Sequence, residues 1–524
     1  MAKLLFLLLI AGILSCGGLP VSAPVQASAT ASKRCLILAT NDSESNFDGL
    51  KGADGTYGLP IARIAGVYQR ELQRNPGGVL LVEGGDILQG RYMERLDGNA
   101  VAARRAAFDI YAGAGYTWMT LGNHEFDANT KTLSAALAGR HPGLLDLNVD
   151  PSALSTQNNW QIVECGGIRL ALAGVLTPST RTISDPGELE IRSPIKALHD
   201  HPPPPADARV LLSHLGIDDD EQLAKESNYL DVIIGGHSHT LLPAARQVGQ
   251  VRIGQSGSRF SHLAFWELSI VQGKLQINYH LEPVNEAMPV AAEVAQAVTA
   301  LRATLVAEEV IGERKIAWDL EDLAHSDYPR RAARAVQQYA QAHTKAPVDA
   351  ALLNFGGFRS SERYPPGPVT NVQVQAIHPF KNRLVFVQLH GDQLQAVLEN
   401  SCTTGHSEAH GRNLVGWGLD FHCDLTKPSI VYRMADNQPI GIATPGQRAT
   451  VKVQGKPLDL QATYRIATLD YLARGGSSYF ALTLGQRTCA DGTVFSGPGS
   501  CANSPLLWEI IAQSVVESRL DAPL

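Results

Sequence analysis

The sequence predicts an α/β fold arranged as two domains, and three observations lead to that prediction. From Arg34 to about Pro283, short apolar runs alternate with helix-like segments such as Leu59–Gln73 and Val101–Ala112, a pattern typical of a layered α/β sandwich. The segment Val290–Glu309 has apolar residues at helical spacing and contains neither Gly nor Pro, so it predicts a connecting helix. The chain has 524 residues, more than one ordinary domain holds, and we expect a second α/β domain after that helix.

The expected organisation of the chain has four parts. Residues 1–32 are predicted to be a signal peptide and tether, 33–285 the first domain, 286–315 the linker helix and 316–524 the second domain. With 44% hydrophobic and 18% charged residues, the composition is that of a folded globular protein. The formal net charge of −7 argues against nonspecific binding to a nucleic-acid polymer, which needs a basic surface.

Polar side chains follow five of the strands predicted in the first domain. They are Asp42 and Glu44 after Cys35–Ala39, Asp86 after Gly78–Val82, Asn123 and His124 after Trp118–Thr120, His214 after Ala208–Val210, and His237 and His239 after Val232–Ile234. Taken singly, each is explained as a turn residue or a hydrogen-bonded core histidine. Together they lie where open α/β sheets place their chemistry. Carboxylate, imidazole and amide oxygen donors suit a pair of divalent cations that polarise a phosphoryl group.

The N-terminus carries Lys3 and an apolar run, Leu4–Leu14, which is too short to span a bilayer and is typical of an export signal. A buried N-terminal helix is the competing interpretation. Cys16, after Leu14-Ser15, resembles the lipidated cysteine of a bacterial lipoprotein, whereas Ala23 and Ala27 end ordinary cleavage sites. We expect a periplasmic protein or a membrane-anchored lipoprotein of a bacterial envelope, with residues 17–32 as the tether.

The chain has seven cysteines, and six remain when Cys16 is set aside. An even number in an exported protein predicts disulfides. The sequence does not fix their connectivity, but the spacing suggests Cys402 with Cys423, Cys489 with Cys501, and Cys35 with Cys165. A zinc site is the alternative, and it is disfavoured because the sequence contains no close pair of cysteines separated by two residues.

The motifs as a set resemble a known family. The run Asp42, Gly84-Gly85-Asp86, Gly122-Asn123-His124-Glu125, His214 and Gly236-His237-Ser238-His239 resembles the calcineurin-like metallophosphoesterases, specifically the bacterial 5′-nucleotidases. Three later blocks, Asn354–Arg359, Pro379–Val385 and Asp470–Tyr479, resemble the second domain of that family. The resemblance implies a four-layer α-β-β-α sandwich joined by a helix to a second α/β domain that binds substrate.

The resemblance also implies a role for each matching residue. Metal ligands would be Asp42, Asp86, Asn123, His214, His237 and His239, with Asp86 bridging two ions. His124 and Asp127 would be the catalytic pair, and Asn354, Gly357, Arg359, Tyr471 and Ser477 would bind substrate. Glu44 stands where many members have a histidine, so it is either a ligand that favours harder cations such as Mn or Mg, or a residue that points away. The metal, among Zn, Mn, Mg and Co, stays open.

The predicted function is that of an exported phosphohydrolase, a 5′-nucleotidase that releases phosphate from nucleoside 5′-monophosphates by attack of a metal-activated hydroxide. Ser477 replaces the aspartate usual in the family, and residues 411–415 lack the phenylalanine expected as a second stacking face. These departures leave open UDP-sugars, 2′,3′-cyclic nucleotides or other phosphate esters as substrates. A noncatalytic binding lipoprotein is a third possibility, but the intact His124 and Asp127 argue against it.

Overall fold

The computed structural model describes residues 33–49, 58–90, 93, 100–154, 156–305, 308–320, 323, 325–359, 363–404, 413–435, 438–497 and 500–524. The predicted signal peptide, Cys16 and the tether lie outside these residues, as do Gly411 and Arg412. Lys33–Leu524 form one unit, and every contact below lies within it. Among the described residues, no helix combines the length and apolar character needed to cross a membrane.

Two six-stranded sheets carry the first half of the chain. Their strands are β1 Arg34–Thr40, β2 Val79–Glu83, β3 Trp118–Met119, β4 Gly143–Leu144, β5 Gln161–Cys165, β6 Ile168–Leu176, β7 Ala208–His214, β8 Val232–Gly235, β9 Arg246–Val248, β10 Val251–Gly254, β11 His262–Val271 and β12 Lys274–Pro283. The first sheet has the order β12-β11-β1-β2-β3-β4 and the second β5-β6-β7-β8-β10-β9. β1 to β4 run parallel, as do β6, β7, β8 and β10, so their carboxyl ends share one edge.

Helices cover the outer faces of both sheets. They are α1 Pro60–Arg74, α2 Ala100–Ala114, α3 Thr130–Ala136, α4 Pro151–Leu154, α5 Thr180–Ile183, α6 Pro194–Asp200, α7 Ile217–Glu226 and α8 Ala292–Ala303. Ile37, Val82, Leu170, Val210 and Trp266 are buried in one cluster between the two sheets. Separate clusters join the first sheet to α1 and α2, and the second sheet to α6 and α7. The predicted four-layer α-β-β-α fold class is confirmed.

The predicted connecting helix is present but shorter than expected. The sequence predicts Val290–Glu309, whereas α8 ends at Ala303. Thr304 ends it, because its hydroxyl and its N–H both donate to the Leu301 carbonyl, at 2.7 and 3.0 Å, and such local hydrogen bonds compete with helix continuation. Val294 and Val298 are buried with α1 and α2, so α8 is also part of the outer layer of the first domain.

The second domain is built on a five-stranded sheet with the order β19-β15-β25-β18-β26. Its elements are β13 Val310–Arg314, β14 Trp318–Asp319, α9 Tyr328–His343, β15 Ala350–Asn354, β16 Arg363–Tyr364, β17 Gly367–Thr370, α10 Asn371–Ile377, β18 Leu384–His390, α11 Gly391–Thr404, β19 Leu414–Trp417, β20 Leu419–Cys423, β21 Val431–Ala435, β22 Gln438–Thr444, β23 Ala449–Val453, β24 Lys456–Pro457, β25 Thr463–Leu469, α12 Asp470–Ala473, β26 Gln486–Cys489 and α13 Leu507–Val516. One apolar cluster lies under α9 and α13, and another under α11. The predicted domain boundaries stay a prediction.

Three disulfides confirm the pairing suggested by the cysteine spacing. Cys402 bonds Cys423, linking α11 to β20, and Cys489 bonds Cys501. Cys35 bonds Cys165, linking β1 of the first sheet to β5 of the second. Disulfides persist in oxidising compartments, so this set is typical of an exported protein.

Candidate metal and phosphate site

The polar residues predicted at the strand ends lie together at the shared carboxyl edge of the two sheets. Asp42 and Glu44 follow β1, Asp86 follows β2, His214 ends β7, and His237 and His239 follow β8. Five of these residues have a left-handed backbone, with φ of 50° at Asp42, 48° at Glu44, 60° at Asp86, 74° at His237 and 55° at His239. Residues other than glycine adopt this conformation at a cost of order 1 kcal/mol or more, typically where function requires it.

Glu125 holds two of these strand-end loops at a fixed spacing. Its buried carboxylate accepts hydrogen bonds from the backbone N–H groups of Asp86 at 3.0 Å, Ile87 at 2.8 Å, Leu88 at 3.0 Å and Gly122 at 2.5 Å. A Cβ atom on Gly122 would lie 2.1 Å from Asp86 Oδ1, so only glycine allows this approach. The loop that carries Asp86 and the loop that leads to His124 are therefore fixed against each other.

Five of the six predicted ligands lie close to one another, and the sixth, Asn123, is adjacent in the chain to a residue that contacts them. Donor atoms of Asp86, His214 and His237 all lie within 4.8 Å of one another. His214 Nε2 is 3.0 Å from Asp86 Oδ2, and His239 Nε2 is 3.5 Å from Asp42 Oδ1. Asn123 precedes the His124 N–H, which donates to Asp86 Oδ1 at 2.8 Å.

Neighbouring groups orient these donors toward one another. His214 Nδ1 donates to the Gly84 carbonyl at 2.7 Å, which leaves Nε2 facing the carboxylates. Asn41 Nδ2 and the His237 N–H donate to the Asp42 carboxylate at 2.6 and 3.0 Å. Such outer contacts set the tautomer and direction of a metal ligand.

The charge of the cluster attracts cations. Burial opposes protonation of His214, but Asp86 and Asp42 outweigh it and raise the pKa of His214 to about 10. Burial also raises the pKa of Asp42. A divalent cation would offset the same negative potential that draws a proton to His214.

His124 and Asp127 form the hydrogen-bonded pair that the resemblance implies. His124 Nδ1 is 2.8 Å from Asp127 Oδ2, and Ser184 Oγ donates to Asp127 Oδ1 at 3.2 Å. Burial lowers the pKa of His124, but Asp127 and Asp86 more than offset it and raise that pKa to about 9. The second ring nitrogen, Nε2, lies 3.9 Å from Asp86 Oδ2 and so faces the cluster of predicted ligands.

Two side chains of the second domain reach this edge. Arg359 Nη2 lies 3.2 Å from His124 Nε2, and its guanidinium carbon lies 5.2 Å from the centre of the Phe380 ring. The Phe380 ring is in turn 5.8 Å from the His124 ring. Asn354 precedes the short 3₁₀ turn Phe355–Gly357 that follows β15, and Gly357 ends that turn two residues before Arg359. Asn354 Oδ1 is buried.

Glu44 is held by arginines rather than by histidine alone. Arg259 Nε donates to Glu44 Oε2 at 2.6 Å, while Arg359 Nη1 and His239 Nε2 lie 3.7 and 3.8 Å from Oε1. Burial alone would raise the pKa of Glu44, but Arg259, His239 and Arg359 together lower it to about 2. The carboxylate therefore faces the ligand cluster with one oxygen and Arg259 with the other.

Tyr471 and Ser477 contact each other instead of forming two separate subsites. The Tyr471 hydroxyl lies 3.2 Å from Ser477 Oγ and accepts from the Ser477 N–H at 3.0 Å. The turn Gly476–Ser478 lies beside α5 of the first domain. Among the described residues, the structure shows no hydrogen bond from either side chain to Arg359 or His124.

Two protein-family models match the chain in the order expected from its motifs. The calcineurin-like phosphoesterase model matches residues 61–241, and the 5′-nucleotidase C-terminal domain model matches residues 323–483. The chain belongs to the 5′-nucleotidase family.

Relatives of this 5′-nucleotidase-family chain extend over most of its length. An apyrase from Tabanus yao is 28% identical over 403 residues, which cover 69% of this chain and 71% of the relative. A 5′-nucleotidase from Vibrio cholerae is 24% identical over 539 residues, covering 91% and 90%. The crystal structure of a 5′-nucleotidase precursor from Thermus thermophilus is 25% identical with a TM-score of 0.74, covering 93% of this chain and 97% of that one. The chain is a metal-dependent phosphoester hydrolase.

The donor set of this 5′-nucleotidase-family chain fits divalent cations. In the part of the chain that the structure describes, Asn123 Oδ1 and Glu44 Oε1 are buried and have no hydrogen-bond partner. Leaving such groups unpaired is costly, and imidazole nitrogen with carboxylate and amide oxygens is a combination that Zn, Mn and Co accept.

Two side chains at this site were not predicted from the sequence. Phe380 belongs to a block that resembles the family, yet it was assigned no role. The available signal was its position between α10 and the basic residues Lys381 and Arg383. Arg259 follows the polar loop after β10, and no motif marks it. Its role depends on Glu44, which is distant in the sequence.

Proposed function

We propose that this chain is an exported, two-metal 5′-nucleotidase that releases phosphate from nucleoside 5′-monophosphates. The observation that carries the proposal is the approach of Arg359 of the second domain to His124 at the metal-ligand edge, 3.2 Å apart. Two cationic groups so close to each other and to a cation site form a place for a phosphate anion.

The ligands would be Asp42, Asp86, Asn123, His214, His237 and His239, with Asp86 shared between two cations. Bound cations would polarise a phosphoryl oxygen and lower the pKa of a water molecule. Glu44 contributes one buried oxygen to the same edge. The oxygen-rich set leaves Mn and Mg as candidates beside Zn and Co.

His124 would hold a proton next to the reacting phosphate. Asp127 orients its Nδ1, so Nε2–H would point at the phosphoryl group and the leaving oxygen of a bound substrate. A charged imidazole stabilises negative charge that develops there, and it can donate the proton to the leaving alkoxide. Arg359 would bind a phosphate oxygen pair through its planar guanidinium.

The second domain would hold the nucleoside. Phe380 lies beside Arg359 and His124, and Tyr471 offers another aromatic ring, so a base could stack with a contribution of about 1–3 kcal/mol per ring. Asn354, Gly357 and Ser477 would supply polar contacts. Because the phosphate lies at the first domain and the nucleoside at the second, binding energy remote from the reaction would orient the scissile bond.

Tyr471→Ala is expected to lower kcat/KM for nucleoside monophosphates by roughly 10-fold or more and to affect para-nitrophenyl phosphate much less, because only the nucleotide has a base to stack. Arg359→Ala removes a contact to the phosphate that both substrates carry, so it is expected to lower kcat/KM for both. The measurement is phosphate release by the metal-reconstituted protein with both substrates. Equal losses on the two substrates in Tyr471→Ala would show that this residue supports the fold, and equal retention would place nucleoside recognition elsewhere.

A broader phosphoesterase is the second candidate, because the Ser477 hydroxyl bonds the Tyr471 hydroxyl and provides no carboxylate for a ribose. A phosphate-release screen over mononucleotides, cyclic nucleotides, UDP-sugars and simple esters separates the two. A preference of about 10-fold or more for 5′-monophosphates, the discrimination that stacking on one ring can supply, supports the nucleotidase. Comparable rates for every class would support the broader enzyme.

Export and lipid anchoring through Cys16 are part of the proposal, supported by three disulfides and by the apolar N-terminal run. We expect Cys16→Ala to move the protein from the membrane fraction to the soluble exported fraction, because a single lipidated residue would provide the attachment. Cell fractionation with immunodetection measures this. Wild-type protein found only in the soluble fraction would contradict the anchor and favour ordinary cleavage.

A further inference from the structure

Arg259 contacts both domains at the edge of the site. It lies in the loop between β10 and β11, with φ of 53°, and its own N–H donates to the Asp42 carbonyl at 2.8 Å. Its Nε donates to Glu44 Oε2 at 2.6 Å, and its Nη2 donates to the backbone carbonyl of Arg359 in the second domain. One guanidinium therefore joins a buried carboxylate of the first domain to the main chain of Arg359.

We propose that Arg259 is a positioning residue that, through Glu44 and the Arg359 carbonyl, keeps the Arg359 guanidinium available to the substrate phosphate. This inference rests on the proposed role of Arg359 in binding phosphate. It assigns Arg259 no contact with the substrate.

The charges around Glu44 support this role. Glu44 is a single buried carboxylate, with its side chain 3% exposed, between two arginines. Arg259 is the nearer partner at 2.6 Å, and Arg359 Nη1 is 3.7 Å from the other oxygen. If Arg259 were absent, Arg359 would be the remaining arginine beside this carboxylate, and a buried carboxylate without a partner is costly. Arg359 would then pair with Glu44 at the expense of the phosphate.

The shape of the Arg259 guanidinium supports the same role. A guanidinium is a planar group with donors fixed in different directions, so Arg259 can bond a carboxylate and a carbonyl simultaneously. Lysine has one ammonium on a flexible stem and can satisfy Glu44 without fixing the Arg359 backbone. The Arg359 N–H also donates to the Ile377 carbonyl at 3.0 Å. The N–H and the carbonyl of Arg359 are therefore both hydrogen-bonded, which fixes the backbone from which its side chain extends.

The test is a double-mutant cycle with Arg259→Ala and Arg359→Ala, run on the phosphoester that the wild-type protein hydrolyses fastest. Arg259→Ala is expected to lower kcat/KM about 10-fold in the wild-type background, mainly by raising KM, and less than about 2-fold when Arg359 is already alanine. The inhibition constant of inorganic phosphate should rise in parallel in the two single variants. Additive losses in the cycle would overturn the proposal.

Arg259→Lys keeps a positive charge beside Glu44, so it tests the idea even if Arg259→Ala folds poorly. We expect Arg259→Lys to keep the metal content and the thermal unfolding temperature of the wild type while staying about 5-fold impaired in KM, because lysine lacks the planar fork. Full recovery by lysine would overturn the role of the Arg359 carbonyl, and loss of bound metal would place Arg259 in the metal site instead.

Arg34→Ala is the matched control, because it removes an arginine–carboxylate pair with Glu267 away from the site and should leave KM unchanged. The cycle needs no particular substrate, so it stays informative if nucleotides prove to be poor substrates.

Discussion

We expect His124→Ala to lower kcat by roughly 10²- to 10⁴-fold while folding and bound metal stay close to those of the wild type. That range is the usual contribution of a positioned general acid or of one electrostatic group at a transition state. His124 is buried beside Asp86 and is hydrogen-bonded to Asp127 at 2.8 Å, but it is not one of the proposed ligands. Steady-state kinetics on the metal-reconstituted variant, with metal analysis of the same sample, measure the effect.

Asp127→Asn provides the control for the His124 variant. It keeps the imidazole and the shape of its partner but removes the charge that helps to raise the pKa of His124 to about 9, so a smaller loss than that of His124→Ala is expected. A wild-type kcat in His124→Ala would remove this residue from the mechanism. A loss of metal in the same variant would make it a structural element of the ligand cluster.

We expect Asp86→Ala to abolish stoichiometric metal binding, with affinity weakened more than about 100-fold, the upper range for changes in the outer contacts of a metal site. Asp86 Oδ2 is 3.0 Å from His214 Nε2 and Oδ1 accepts the His124 N–H at 2.8 Å, so its removal opens the centre of the cluster. Metal at about 100 times its dissociation constant stabilises a folded protein by about 2.7 kcal/mol. The rise in unfolding temperature on adding metal should therefore be seen in the wild type and be absent in Asp86→Ala.

Glu399→Gln is the matched control for Asp86. Glu399 is also a fully buried carboxylate that accepts backbone N–H groups, from Ile430 and Arg448 at 3.1 and 2.8 Å, but it lies in the second domain. Glu399→Gln is expected to lower the free energy of unfolding without changing the rise in unfolding temperature that added metal produces. Retention of that shift in Asp86→Ala would show that other donors suffice and that Asp86 is not shared between two ions.

The first domain was predictable because its signals are local. An apolar run predicts a strand, and the residue that follows a strand lies at the edge of the sheet. The sequence therefore predicted that Asp42, Asp86, His214 and His237 lie at one edge. The cysteine spacing suggested the three disulfide pairs but did not fix them, since Cys35 and Cys165 are 130 residues apart. The end of α8 at Ala303 also has a local cause, because the Thr304 hydroxyl donates to a carbonyl of the helix it follows. The spacing of apolar residues carries no information on that hydrogen bond.

The contacts made by Glu44 and by the Tyr471 hydroxyl were not predictable. Arg259 and Glu44 are 215 residues apart, and neither residue alone indicates an ion pair. The sequence left Glu44 as either a ligand or a residue that points away, whereas each of its oxygens serves a different partner. For Tyr471, a motif indicated an aromatic ring but gave no information on its hydroxyl, which bonds Ser477.

The bond between Cys35 and Cys165 has a consequence for how the site is assembled. Cys35 lies near the start of β1 and Asp42 beyond its end, so the disulfide fastens the two sheets at the side opposite the ligands. The proposed ligands come from both sheets, with Asp86 from one and His214 from the other, so the proposed metal site would lie between the two sheets. The bond closes a loop with a sequence separation of 130 residues, a constraint that chain-entropy models value at about 5 kcal/mol. In a reducing compartment the two sheets would be held together by packing and by hydrogen bonds such as that from His214 to the Gly84 carbonyl. The spacing between the sheets, not the integrity of either sheet, would be the first property lost.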